Sequence, residues 1–144
     1  ARLPVRRARA VQPEARQAVT LHTSVKPGTT LTLKPGAWTT VAIAKVPTGA
    51  EIHSMLYANV SGKATAGAKV VQLDVRALRD GGTDETALQT YTAAVKPDGS
   101  WRCRITATWF GGDPGSSMHW QIMPTLNIST ATVSGTRYAK GMTN

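Results

Sequence analysis

The sequence predicts an all-β domain, an antiparallel β-sandwich of the jelly-roll kind, preceded by an extended basic arm. Three observations lead there. Thr and Val, which favour strands, are abundant, while Leu, Glu and Lys, which dominate helical proteins, are scarce. From Val19 onward, short segments rich in Thr, Val and Ile recur between Gly and Pro signals at intervals of roughly 8 to 15 residues. No stretch of about ten residues keeps a 3.6-residue apolar stripe free of Gly, Pro and β-branched runs. At 144 residues the chain has the size of one domain with one packed core. The expected division is an arm over residues 1–18 and a sandwich over 19–144.

The arm comes first. Residues 1–16 hold Arg2, Arg6, Arg7, Arg9 and Arg16 against Glu14 alone, so this segment carries +4 of the net +9 and the remainder is only mildly basic. Pro4 and Pro13 interrupt it and no period of two or 3.6 is sustained, which describes an extended segment with at most one helical turn near 14–18. An arginine-dense terminus serves as an electrostatic tether to nucleic acid, an acidic protein surface or anionic lipid, or else as a solubilising tail.

The clearest strand is 101–110, where Trp101, Cys103, Ile105, Ala107 and Trp109 alternate with Arg102, Arg104, Thr106 and Thr108, giving one core face and one wet face. Residues 86–95 read as its hairpin partner, because Lys96, Pro97, Asp98, Gly99 and Ser100 form a short connection with an Asp-Gly turn signal. Residues 70–78 alternate in the same way, with Val71, Leu73, Val75 and Ala77 inward. In 52–60, Ile52, Leu56, Ala58 and Val60 share one side, and His53, Met55, Tyr57 and Asn59 the other. Segments 19–25, 29–33, 38–46, 118–123 and 126–133 complete a set of eight or nine strands. The best helical candidate, 84–89 behind Thr83, runs straight into β-branched sequence. A two-sheet sandwich lets every alternating strand bury one face.

The residues that carry chemistry are sparse. His22, His53 and His119 fall on separate predicted strands without an HxH or HxxxH pair, and the single cysteine, Cys103, offers no closely spaced partner ligand. No metal and no cofactor is expected. Cys103 alternates with Trp101 and Ile105 and reads as a small buried apolar residue, and no GxSxG elbow accompanies any serine. Asp84 and Glu85 are adjacent, so they point apart on an extended chain and do not make a carboxylate pair. Glycines 81, 82, 111, 112 and 115 lack the following Lys-Ser or Lys-Thr of a phosphate loop and read as turns. The expectation is a protein that is not an enzyme.

A single cysteine excludes an internal disulfide framework, and no apolar run approaches the roughly 18 residues of a membrane span, so synthesis in the cytoplasm is expected and a membrane span is not. The four tryptophans, among them Trp38 and Trp120, read mainly as core. The best ligand or contact loop is 111–117 with the residues beside it: Asp113, His119, Trp120 and Gln121. Arg102 and Arg104 line the wet face of one strand, with Arg76 expected near them, but no aromatic residue interleaves them on that face, so the stacking platform of a single-strand binder is missing.

A basic, Pro-punctuated arm leading into a Thr- and Val-rich sandwich resembles small virion proteins. The texture of PGAWTTVAIAKVPTGAE and KPDGSWRCRITATWFGG is similar to that of accessory structural proteins of tailed bacteriophages, both capsid decoration proteins and minor tail proteins. The resemblance implies a virion location and docking on capsid or tail proteins. It also implies a homo-oligomer, dimer or trimer, whose arm reaches neighbouring subunits. Two other readings stay open: a carbohydrate-binding module with a glycan over Trp120, and a small jelly-roll coat protein whose arm neutralises packaged nucleic acid.

Overall fold

In the computed structural model of the chain, residues 19–21, 29–45, 52–79, 88–110 and 117–143 are described. They form ten strands: β1 (Val19–Leu21), β2 (Leu31–Leu33), β3 (Thr39–Lys45), β4 (Ile52–Ala64), β5 (Val70–Arg79), β6 (Gln89–Ala94), β7 (Ser100–Phe110), β8 (Ser117–Pro124), β9 (Ile128–Val133) and β10 (Tyr138–Thr143). Among the described residues there is no helix, and none therefore long and apolar enough to cross a membrane. The predicted arm, residues 1–18, lies outside the described residues.

Two antiparallel sheets face each other. The first has β4 at its centre, with β7 along one edge and β10 followed by β9 along the other; β1 extends β10 and β2 extends β9. The second runs β3-β8-β5-β6. Besides β4 with β9 and β5 with β8, the strands β2 to β9 pair as β2 with β9, β3 with β8, β4 with β7 and β5 with β6, all antiparallel. It is these last four pairs that matter for the topology. These pairs are nested around the β5–β6 connection and fall alternately in the first and second sheet.

Alternation explains the layers. Leu56, Ala58 and Val60 of β4, Val71, Leu73, Val75 and Ala77 of β5, and Trp101, Ile105 and Ala107 of β7 are buried, as the period of two predicts. They meet Met118, Trp120 and Ile122 of β8 and Val133 of β9 in one core. Cys103 is only half-buried at its margin. The Trp109 side chain is outside what is described.

The predicted hairpin of 86–95 with 101–110 is not formed. The turn is there: Gly99 has φ 87° and donates to Lys96 O at 2.8 Å, and Lys96 N–H bonds Ser100 O at 2.9 Å. Beyond it the strands part, β6 pairing with β5 and β7 with β4. Period-two alternation states which face of a strand is buried, not which strand lies beside it. Two strands with one apolar face each satisfy that pattern equally well side by side or facing each other across a core. Here Gln89 Nε2 bonds Thr108 O at 2.7 Å, so a side chain links the two sheets where ladder bonds would have run.

Two polar contacts bind the sheets internally. Trp120 Nε1 on β8 donates to Ser54 Oγ on β4 at 3.0 Å, both residues fully buried. In β3, a bulge between Thr40 and Ala42 leaves Val41 outside the ladder, and its carbonyl accepts from Arg137 Nε at 2.8 Å. Arg137, also buried, bonds Thr29 O and Ser134 O through Nη1, while Nη2 has no partner. Burial lowers the Arg137 pKa from its ordinary value. One glycine is fixed by contact: a Cβ on Gly62 would lie 1.9 Å from Thr130 O of β9, so only glycine lets β4 and β9 approach there.

The two buried tryptophans make a matched test, because Trp101 Nε1 has no hydrogen-bond partner whereas Trp120 has Ser54. Trp120→Phe is expected to cost about 1–2 kcal/mol more than Trp101→Phe in urea unfolding, since only the first strands a buried hydroxyl. Equal losses would show that the bond adds nothing. Arg137→Ala, which removes the donor from three carbonyls and empties a buried volume, is expected to cost at least about 3 kcal/mol by the same measurement.

Candidate functional site

The outer faces of the two sheets differ in how far their polar groups are already engaged. On the second sheet, Arg76 Nε donates to Gln121 Oε1 at 2.8 Å, and Gln121 Nε2 donates to Thr40 Oγ1 at 3.0 Å. The Arg76 guanidinium also lies 4.0 Å over the half-buried Trp38 ring. Asp74 accepts from Gln72 Nε2 at 3.0 Å and from Thr90 Oγ1 at 3.2 Å. The arginine, the carboxylate and the tryptophan of this face thus have partners within the face.

The first sheet is built otherwise. Strand β7 turns Arg102 and Arg104 outward, both exposed and without a hydrogen-bond or ion-pair partner among the described residues. Register places Arg102 opposite Ser61, and Ser61 opposite Thr132; Arg104 lies opposite Asn59. A basin of about 460 Å³ lies over this crossing, lined by Thr30, Asn59, Ser61, Arg102, Arg104 and Thr132 among others. A second hollow of about 410 Å³ shares Ser61 and Arg102 with it and adds Lys63, Lys96 and Ser100. Together they form one groove with four cationic side chains.

The carboxylates leave that groove positive. Among the described residues only Asp74 and Asp98 are acidic, and Asp74 belongs to the other sheet. Asp98, in the β6–β7 turn, accepts from Ser100 N at 2.9 Å and Ser100 Oγ at 2.6 Å. Those bonds, with smaller help from Lys63 and Lys96, hold its carboxyl below the usual carboxylate value. Lys63 Nζ itself reaches only the Asp98 carbonyl, at 3.3 Å.

Next along the same face stand two aromatic rings that reading β7 alone missed. Tyr57 on β4 and Tyr138 on β10 are opposite each other in register and stack with ring centroids 5.3 Å apart and planes 23° apart. Asn59 Nδ2 donates to the Tyr57 hydroxyl at 3.1 Å. The interleaving occurs across strands, which no inspection of one segment reveals. Tyr57 was legible as outward-facing, but β10, which carries Tyr138, was not predicted.

Of the predicted ligand residues, Trp120 lies on the opposite face of β8 from His119 and Gln121. Trp120 is fully buried with its Nε1 committed to Ser54, so it offers no platform to a glycan. His119 and Gln121 are on the outer face of β8, where Ser117 Oγ lies 3.2 Å from His119 Nε2. Asp74, the described carboxylate of that sheet, stands opposite Met123, about 13 Å along the strand from His119, so it does not complete a serine–histidine–acid arrangement. Asp113 and the arm arginines Arg2, Arg6, Arg7, Arg9 and Arg16 lie outside the described residues. No group of three His, Cys, Asp or Glu among the described residues is placed to hold a metal.

No family model matches the chain, and no curated protein matches it.

Cys103, on the rim of the basin, has its thiol pushed up by burial. Its thiolate fraction at neutral pH is therefore below that of a free cysteine, and the thiolate is the nucleophile. Alkylation by iodoacetamide at pH 7.5 is expected to run several-fold slower in the folded protein than in urea. Equal rates would show that the thiol is not shielded.

Proposed function

We propose that the chain is a non-catalytic structural protein of a virion: a jelly-roll coat subunit whose arginine-rich arm neutralises packaged nucleic acid. The observation that carries this reading is the nested pairing of β2 with β9, β3 with β8, β4 with β7 and β5 with β6, dealt alternately to two sheets. That pairing is what results when a long antiparallel hairpin is rolled up into a jelly roll, an architecture of viral capsid and lectin domains. Of those two uses, the lectin-like one loses its best residue with Trp120 in the core.

Charge supports the same choice. The arm concentrates five arginines against one glutamate, which suits sequence-blind attraction to phosphate. A basic segment that ordered on docking would add contacts between subunits without enlarging the folded domain. On this reading the partners are further copies of the chain and the genome, with assembly in the host cytoplasm. Docking on a pre-existing phage capsid or tail is the related reading, and assembly of the isolated protein separates the two.

Purified full-length chain mixed with single-stranded RNA or DNA at low salt is expected to form closed particles visible by electron microscopy. Deletion of residues 1–18 is expected to leave the β circular-dichroism spectrum unchanged while the particles no longer retain nucleic acid. A full-length chain that stays monomeric at all protein and salt concentrations, with and without nucleic acid, would overturn the coat-subunit reading.

A further inference from the structure

The groove on the first sheet has no role in the proposal above, which assigns nucleic-acid contact to the arm alone. Its features are specific. Arg102 and Arg104 are alternate residues of one strand, so their Cα atoms are about 7 Å apart and their side chains project from the same face. Lys63, on the adjacent strand opposite Ser100, continues the row past Arg102, and Lys96 closes its end in the turn. At the other end, two residues beyond Asn59 on the same face, stands the Tyr57–Tyr138 stack. The floor between is made of Ser61, Asn59 and Thr132, small polar side chains that leave room above them.

We infer that this outer face is a binding groove for single-stranded nucleic acid, in which Lys63, Arg102 and Arg104 take successive phosphates and the Tyr57–Tyr138 pair takes a base. The inference rests on the coat-subunit reading for its ligand, because a shell that encloses a genome meets single strands in excess.

Charge complementarity argues for a polyanion. The row of cations has no carboxylate facing it among the described residues, apart from Asp98 at its far end, which Ser100 already engages. Unpaired arginines on alternate positions repel each other, and a chain of phosphates relieves that repulsion along its whole length. A single strand suits the site better than a duplex. Aromatic faces contribute only to unstacked bases, and base-on-ring stacking combined with a cationic track is the general solution for binding single strands without sequence preference. Arginine adds a second planar surface on which a base can lie. The other sheet supplies an internal contrast: its cation–aromatic pair Arg76 over Trp38 is closed on itself and further held by Gln121.

The test uses full-length protein and fluorescent twenty-nucleotide oligo-dT and oligo-U, with affinity followed by anisotropy over a salt series. The double variant Arg102→Gln, Arg104→Gln is expected to bind about tenfold or more weakly at low salt. Its log–log salt slope is expected to be shallower by about 1.4, as two lost phosphate contacts require for a single strand. Tyr57→Leu is expected to weaken binding about 5- to 150-fold with the salt slope unchanged. Ser61→Lys, which adds a cation inside the basin, is expected to tighten binding and steepen the slope. Because all these side chains are outward-facing, thermal midpoints should stay close to that of the parent, and the gain in Ser61→Lys does not depend on a variant that might merely unfold.

Oligonucleotide affinity and slope unchanged in all three variants would overturn the inference, and would leave the coat-subunit reading standing if particles still form. Loss of particles by the arginine variant with oligonucleotide binding intact would also overturn it, by making the face a contact between protein subunits. Groove-dependent oligonucleotide binding in a chain that never forms particles would uphold the inference and sink the coat-subunit reading.

Discussion

Strand β4 is the constraint on which the remaining architecture depends. Both of its edges are paired, with β7 along one and β10 then β9 along the other. It is long enough to carry two neighbours in tandem because Gly62 permits the close approach of β9 just where β10 has ended. Its inward residues Leu56, Ala58 and Val60 are core, and Ser54 accepts a buried side-chain hydrogen bond across the core from Trp120 of β8. Its outward residues Tyr57, Asn59, Ser61 and Lys63 are the middle row of the cationic groove. A one-residue slip would exchange those two sets, placing Lys63 in the core and Leu56 in water. Register therefore fixes the fold and the groove together.

How much of this was legible follows from what period-two patterning encodes. The inward sets of 101–107, 71–77 and 56–60 were readable because each strand keeps a strict alternation over three or four positions, and burial of one face enforces it. Partner choice was not readable. The 96–100 turn is a genuine turn with Gly99 in the left-handed region, but its chemistry is compatible with a hairpin and with a crossing between sheets. The deciding factor is tertiary: β5 presents a free edge to β6, and β4 presents one to β7. Strand β10 escaped notice for a local reason, since Lys140 and Gly141 interrupt any apolar alternation and the segment is held by pairing with β4 and β1 instead.

The groove was half legible for the same reason. Arg102 and Arg104 declare an outward cationic face in the sequence itself. The aromatic pair beside them comes from β4 and β10, and the small polar floor from β4 and β9. A cross-strand site is a property of register, and register between segments far apart in sequence is carried by no single window. Trp120 illustrates the converse. Its neighbours His119 and Gln121 gave it a ligand-like context along the chain, yet alternation alone places it on the opposite face from both, and the structure has it in the core.

Net charge links the fold to the proposed assembly. A chain at +9 repels its own copies, and packing many of them into a shell concentrates that repulsion on whichever surface the arms share. On the outer face of the second sheet, Arg76 is matched by Asp74 on its own strand and both are held by neutral side chains. Among the described residues, the groove of the first sheet is where cations lie close together without an ion-pair partner, and the arm sequence concentrates five more arginines. Subunits of this kind would associate weakly by themselves and strongly around a polyanion, since each phosphate contact removes repulsion between copies as well as releasing counterions. The nucleic acid would then act as a structural component whose charge makes the shell stable, and a basic arm together with a cationic sheet face would be two parts of one electrostatic device.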